Sequence, residues 1–92
     1  MSDGKPRQTA GEAIRSRIMT SHALCAIAES EVHAGEMKMA TGTISNTRKL
    51  IREIDALIGT GMSVSAAHEL AELLRELDHR LRNIEAAIRL QW

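Results

Sequence analysis

Aromatic residues are almost missing from this sequence: Trp92 is the only one, and there is neither Phe nor Tyr. A core without rings must be built from Leu, Ile, Ala and Met, which bury less surface each, at about 25 cal/mol per Å². With 92 residues, the chain has the size of one domain. Because a single core of this size is only marginally stabilising, we expect the chain to associate with a second copy of itself.

Cysteine and proline are equally scarce. Cys25 is the only cysteine, which excludes an internal disulfide, fits a reducing compartment and indicates a small buried hydrophobe. Pro6, the only proline, lies within residues 1–8, which we expect to form a flexible lead-in to a single helical domain at 9–92. The start has no apolar signal segment, and no stretch approaches about 18 apolar residues. We therefore expect a cytoplasmic protein that has no membrane segment.

Net charge is also absent, since twelve basic residues balance twelve acidic ones. This balance argues against nucleic acid as the main partner, because phosphate binding needs a concentrated basic surface. One local cluster, Arg48, Lys49 and Arg52, keeps nucleic acid open as an alternative. The simpler interpretation of that cluster is a solvated helix face.

Apolar residues in the last third of the chain recur at alternating spacings of three and four. Such a pattern returns to one stripe of a helix and is typical of a helix packed against another helix. We predict a helix at about 64–90, preceded by a stop at Gly59-Thr60-Gly61 and by an N-cap at Ser63 or Ser65. The residues of the stripe are Ala67, Leu70, Leu74, Leu77, Leu81, Ile84 and Ile88.

The first two thirds predict one long helix, at about 10–58. Thr9 and Glu12 have capping-box spacing at its start. Gly42 is a weak point, where the alternatives are a kink and a break, because glycine costs about 1 kcal/mol inside a helix. The three-four phase nevertheless continues across Gly42, which favours a continuous helix. The stripe that keeps this phase is Met37, Ala40, Ile44, Thr47, Ile51, Ile54 and Ile58.

Together these patterns predict an all-α protein, a long antiparallel helical hairpin that oligomerises, as a homodimer, into a coiled-coil-like bundle of four or more helices. Apolar residues beside the main stripes imply more than one neighbouring helix. We assign self-association to four of them: Leu50, Leu57, Leu73 and Ala87.

A second set of residues is the candidate surface for a protein partner. The predicted first helix carries a stripe of small residues, which allow another helix to approach closely, and two methionines, which supply adaptable contacts. The same face is also an alternative site of dimerisation. Its residues are Ala28, Val32, Gly35, Met37 and Met39.

The residues with catalytic or metal-binding chemistry form no recognisable site. His22 and His33 are eleven residues apart, as are His68 and His79, and about 16 Å of helix separates each pair, so neither pair can share an ion. Glu76 and His79 have the Glu-x-x-His spacing of ferritin-type bundles but lie opposite the apolar stripe. Neither a nucleophile elbow nor a phosphate-binding loop is present. We expect no enzyme, no metal and no cofactor.

Residues 75–83 (Arg-Glu-Leu-Asp-His-Arg-Leu-Arg-Asn) carry the one local family resemblance. This stretch resembles the phosphoacceptor helix of HWE-type sensor histidine kinases, whose motif reads roughly Glu-Leu-x-His-Arg-Val-Lys-Asn. The resemblance implies that His79 is a phosphoacceptor and that Arg80 and Asn83 are its neighbours. The second dimerisation helix and ATP-binding domain of those kinases have no counterpart here, so it implies a phosphotransfer module rather than a kinase. A solvated helix face with acid–base pairs four residues apart is the alternative interpretation.

Three functions follow as expectations. The first is a non-enzymatic, homo-oligomeric protein that binds another protein as a regulator, adaptor or inhibitor. The second is a histidine phosphotransfer-like module that uses His79. The third is a small protein of a mobile element that inhibits a host nuclease or transcription complex.

Overall fold

The computed structural model describes residues 10–58 and 62–91, and they form three α-helices with no strand among them. Helix α1 spans Ala10–His33, α2 spans Met37–Leu57 and α3 spans Val64–Gln91. The all-α class predicted from the sequence is confirmed. The start of the first helix at about Ala10 and the position of the last helix are also as predicted.

The predicted two-helix hairpin is wrong, because the first helix ends at His33 and a turn separates it from α2. Gly35 has a φ of +79°, a left-handed conformation that glycine adopts without steric cost. The Gly35 N–H donates to the Val32 carbonyl at 3.0 Å, and the Glu36 N–H donates to the Glu31 carbonyl at 2.8 Å. These two bonds form a Schellman motif, which satisfies the last carbonyls of α1 and reverses the chain.

Gly42, the expected weak point, lies inside α2, which is a continuous helix from Met37 to Leu57. It is exposed, and a Cβ atom at this position would meet nothing within 4 Å. The prediction of a continuous helix across Gly42 is therefore confirmed. The buried members of the stripe are Ala40, Ile44, Thr47 and Ile54, and its partly buried members are Met37, Ile51 and Ile58.

The three helices run up, down and up, and each packs against the other two. Arg15 of α1 pairs with Glu69 of α3, and further along the chain Glu29 of α1 pairs with Arg80 of α3. The pair that is later in α1 is also later in α3, so the two helices are parallel. The three-residue connection makes α2 the antiparallel neighbour of α1.

The core lies between the three helices. Among the described residues it is aliphatic apart from Cys25 and two buried hydroxyl residues, Ser21 and Thr47. The Ser21 hydroxyl donates to the Arg17 carbonyl at 3.0 Å, and the Thr47 hydroxyl donates to the Thr43 carbonyl at 2.7 Å. Neither hydroxyl therefore loses a hydrogen bond on burial. The fully or nearly buried apolar residues are Ile14, Ile18, Cys25, Ala28, Val32, Ala40, Ile44, Ile54, Leu70, Leu74, Leu77, Leu81, Ile84 and Ile88.

Ser63 is the N-cap of α3, since its hydroxyl accepts the backbone N–H of Ala66 at 3.1 Å. This settles the choice between Ser63 and Ser65 that the sequence left open. The predicted roles of Thr9 and of residues 59–61 lie outside the described residues.

Candidate functional site

The five residues predicted to bind a partner do not form one open groove. Ala28 is completely buried and Val32 is 9% exposed, both in the core of the bundle. Gly35 forms the turn, Met37 packs partly buried against the core, and Met39 is 56% exposed. The stripe of small residues on α1 serves the chain's own packing, because small side chains let the neighbouring helices approach.

The residues predicted for self-association are mostly used within the chain as well. Leu50, Leu73 and Ala87 are partly buried and pack against the core, whereas Leu57 is 38% exposed. The wider apolar face that predicted a neighbouring molecule therefore accommodates the third helix of the same chain.

A different surface of α1 stands open to solvent, and we call it the outer face. Its members recur at spacings of three and four on the side of α1 opposite the core, and all of them are exposed. Two carry large apolar side chains, Met19 at 72% exposure and Ile27 at 50%. None is charged. The outer face consists of Ser16, Met19, Thr20, Ala23, Ala26, Ile27 and Ser30.

The polarity of the outer face is lower than its composition indicates. The Thr20 hydroxyl donates to the Ser16 carbonyl of the same helix at 3.1 Å. A hydroxyl that is bonded within its own helix needs no partner from solvent, and Thr20 also presents a methyl group. Covering this position therefore leaves no unsatisfied donor.

Helix α3 differs sharply from α1 in its surface charge. From Ile18 to Ala28, eleven residues, α1 has no Asp, Glu, Lys or Arg. The exposed side of α3 carries a charge at nearly every turn, including Glu69, Glu72, Arg75 and Arg82. An exposed helix face without charges is unusual on a solvated surface, and it is typical of a surface that another molecule covers.

Charged residues border the outer face at both ends. Arg15 donates to Glu69 at 2.5 Å, and Glu29 accepts two bonds from Arg80, from Nε at 3.1 Å and from Nη2 at 2.7 Å. The Arg80 guanidinium holds the pKa of Glu29 below its ordinary value, chiefly through these hydrogen bonds. The Glu31 carboxylate accepts a hydrogen bond from the Thr43 hydroxyl at 2.7 Å.

The structure separates the residues of the predicted phosphoacceptor site. His79 and Asn83 are exposed on α3, but Arg80 points toward α1, where it also donates to the His22 carbonyl at 3.3 Å. His79 instead borders an open cleft of about 330 Å³ with Glu72, Arg75 and Glu76. The cleft beside His79 is thus lined by two carboxylates and one guanidinium of the same helix.

Cys25 has the environment of a structural cysteine. Its side chain is fully buried in the core, and this burial raises the pKa of the thiol. A neutral buried thiol is a poor nucleophile. Cys25 therefore packs as a small apolar residue, as the sequence predicted.

The clefts of the bundle are shallow and open. One, of about 220 Å³ between α1 and α3, is lined by Glu29, His33, Asn83 and apolar side chains. Within residues 10–58 and 62–91, no three His, Cys, Asp or Glu side chains are grouped so that they could hold a metal ion. Across the same residues, no helix combines the length and hydropathy that a membrane span requires.

Comparison with known proteins adds no relative: the chain matches no protein-family model, no curated protein and no solved structure. The outer face is the feature that the sequence analysis missed. Its signal is the uncharged segment from Ile18 to Ala28 together with a second three-four stripe, out of phase with the first.

Proposed function

We propose that this protein is a non-enzymatic helical module that binds another polypeptide through the outer face of α1 and works as a homo-oligomeric regulator, adaptor or inhibitor. The observation that carries the proposal is the exposure of Met19 and Ile27 on a helix face that has no charge between them.

Apolar area and its surroundings determine how much free energy a partner gains by covering the outer face. Burying a Met or Ile side chain fully contributes about 1.5–3 kcal/mol each. The alanines between Met19 and Ile27 are small, so a second helix can approach closely without leaving a cavity. The outer face therefore offers a desolvation gain over about four turns of helix.

Two matched methionine variants test the proposal. The tagged chain is expressed in the cells from which the sequence comes, as wild type, Met19→Lys and Met39→Lys, and the retained polypeptides, including untagged copies, are identified. Both methionines are exposed, but only Met19 belongs to the outer face. We expect Met19→Lys to lose a retained polypeptide that Met39→Lys keeps. Equal retention by all three proteins, at unchanged helical content, contradicts the proposal.

A second candidate function is phosphotransfer through His79. The observation that favours it is the exposure of His79 on the solvent side of α3, where a receiver domain can reach the imidazole. Because Arg80 extends from α3 toward α1, Arg75 is the guanidinium beside the same cleft. The acceptor nitrogen would thus have one nearby cation for a phosphoryl group.

His68 supplies the control for this candidate, because it is another exposed histidine of α3. Phosphorylated receiver domains are incubated with wild type, His79→Ala and His68→Ala, and acid-labile phosphate on the chain is measured. The candidate requires label on wild type and His68→Ala and none on His79→Ala. An unlabelled wild type across a panel of receivers removes it.

A further inference from the structure

We infer that the polypeptide covering the outer face is a second copy of this chain, with the two α1 helices packed antiparallel and Ala23 at the two-fold axis. This inference rests on the proposed function, since it names the occupant of the surface proposed there. It uses the symmetry of the outer face and the charges that flank it.

The outer face has the same pattern when it is read in either direction from Ala23. Each member has a counterpart at equal distance on the other side, of similar size or complementary to it. A two-fold interface needs such a self-complementary surface, because each copy contributes the same residues. The counterparts are Ser16 with Ser30, Met19 with Ile27, and Thr20 with Ala26.

Side-chain size is also complementary across the interface. In an antiparallel pair centred on Ala23, the same flank of both helices meets, so Ile27 lies beside Thr20 of the second copy. On the other flank, Met19 lies beside Ala26 of the second copy. Each large side chain therefore meets a small one, which is the arrangement that fills space between two helices without overlap.

Charge is complementary as well. Next to the outer face, Arg15 and Arg17 lie toward the start of α1, and Glu29 and Glu31 lie toward its end. Antiparallel packing brings Arg17 beside Glu31 of the second copy on one flank, and Arg15 beside Glu29 of the second copy on the other. Parallel packing would instead place arginine near arginine and glutamate near glutamate, which is repulsive.

The side chains that would make these contacts are accessible. Arg15 and Glu29 are about half exposed, at 49% and 43%, so each can share its charge with a second partner. Within the described part of the chain, the Arg17 guanidinium makes no ion pair. The dimer thus adds ion pairs at the flanks without breaking those that hold α1 to α3.

Cysteine cross-linking tests the register directly, in a Cys25→Ala background with a short bifunctional maleimide. Ala23→Cys is expected to cross-link to its own copy. Ser16→Cys alone is expected not to, because the two thiols would lie about 21 Å apart along the axes. A mixture of Ser16→Cys and Ser30→Cys chains is expected to cross-link, because these positions are level across the antiparallel pair. Self-cross-linking of Ser16→Cys would show parallel packing and overturn the inference.

Two surface variants test the same interface in solution by sedimentation. Ala23→Arg should abolish the dimer, whereas Ala56→Arg, at an exposed alanine of α2, should leave it intact. Arg17→Glu should weaken the dimer by about tenfold, and Arg17→Glu with Glu31→Arg should restore it.

Failure of this inference is distinguishable from failure of the proposed function. A monomeric chain, or a dimer that survives Ala23→Arg, overturns the inference of a second copy on the outer face. Either result leaves the comparison of Met19→Lys with Met39→Lys to decide whether that face binds a different polypeptide.

Discussion

Arg80 and Glu29 form a two-bond ion pair that joins the middle of α3 to the last third of α1, with Nη2–Oε1 and Nε–Oε2 distances of 2.7 and 3.1 Å. The pair lies about one third to one half exposed at the edge of the bundle. It fixes the register of two parallel helices that no short turn connects. The planar guanidinium is what allows both bonds at once.

Arg80→Lys is therefore expected to destabilise the bundle although it keeps the charge. A lysine ammonium cannot donate two parallel bonds to Glu29 and cannot also reach the His22 carbonyl. We expect a loss of about 1 kcal/mol in the free energy of unfolding, measured by urea denaturation. Arg82→Lys is the control, since the Arg82 side chain is 73% exposed and pairs only within α3. Equal losses in both variants would contradict a specific role for Arg80.

The same pair makes stability depend on acid. The pKa of Glu29 is lowered in the folded state, so its contribution is present above the ordinary glutamate value of about 4.3 and is lost as the pH falls through the folded pKa. Because the pair is partly exposed, this contribution is about 0.5 kcal/mol after solvent screening. In Glu29→Gln the decline in unfolding free energy between about pH 6 and pH 3 should be smaller than in wild type by this amount. An identical decline in the two proteins would show that the bond to Arg80 adds nothing to folding.

Gly35 and Gly42 should respond oppositely to replacement by alanine. Gly42→Ala is expected to stabilise the chain by up to about 1 kcal/mol, because the position is helical and open space surrounds it. Gly35→Ala is expected to destabilise it by about 1–2 kcal/mol, because alanine is strained at a φ of +79°. Thermal and urea unfolding of both variants measure the difference. The same sign for both substitutions would contradict the assignment of the turn to Gly35.

Ser63 and Ser65 form a second matched pair. Ser63→Ala removes the hydroxyl that accepts the Ala66 N–H and should cost about 1 kcal/mol. Ser65→Ala changes an exposed position within the first turn of α3 and should be neutral or slightly stabilising. The measurement is again the free energy of unfolding. A larger cost at Ser65 would show that Ser65, two residues later, is the N-cap of α3.

The reactivity of the buried Cys25 thiol can be measured independently of the free energy of unfolding. Cys25 should react with a thiol reagent more slowly than an exposed cysteine by more than about 100-fold, because reaction requires local opening of the bundle. The raised pKa further reduces the thiolate fraction at neutral pH. Ala56→Cys combined with Cys25→Ala supplies the exposed reference on α2. Comparable reaction rates would show that α1 detaches readily from the core.

The sequence predicted the buried sides of α2 and α3 correctly, because the spacing of apolar residues alone determines which side of the helix is buried. Leu77 and Leu81 of α3 and Ile44 and Ile54 of α2 belong to stripes predicted in advance, and all four are buried. A helix predicted from spacings of three and four needs only some apolar neighbour against which its stripe can pack. The spacing of the stripe does not tell whether that neighbour is another chain or another helix of the same chain.

The turn at Gly35 could not be found from the same signal. Val32, Gly35 and Met39 keep spacings of three and four through the turn, so the pattern is that of an unbroken helix. What ends the helix is a backbone conformation that only glycine adopts at low cost, and glycine also occurs at Gly42 without ending anything. The sequence also could not predict that the Arg80 side chain extends toward α1. A residue that lies between two faces of a helix can extend toward either face.

The three-residue connection at Ala34–Glu36 also determines whether α1 packs against the helices of its own chain or of another. If Gly35 straightened into helical geometry, α1 and α2 would merge into one rod, and α1 could no longer reach the core of its own molecule. The apolar stripe of α1 would then pack against α2 and α3 of a second copy, and the two copies would form a domain-swapped pair. A single glycine torsion therefore separates a self-contained bundle from an entangled one.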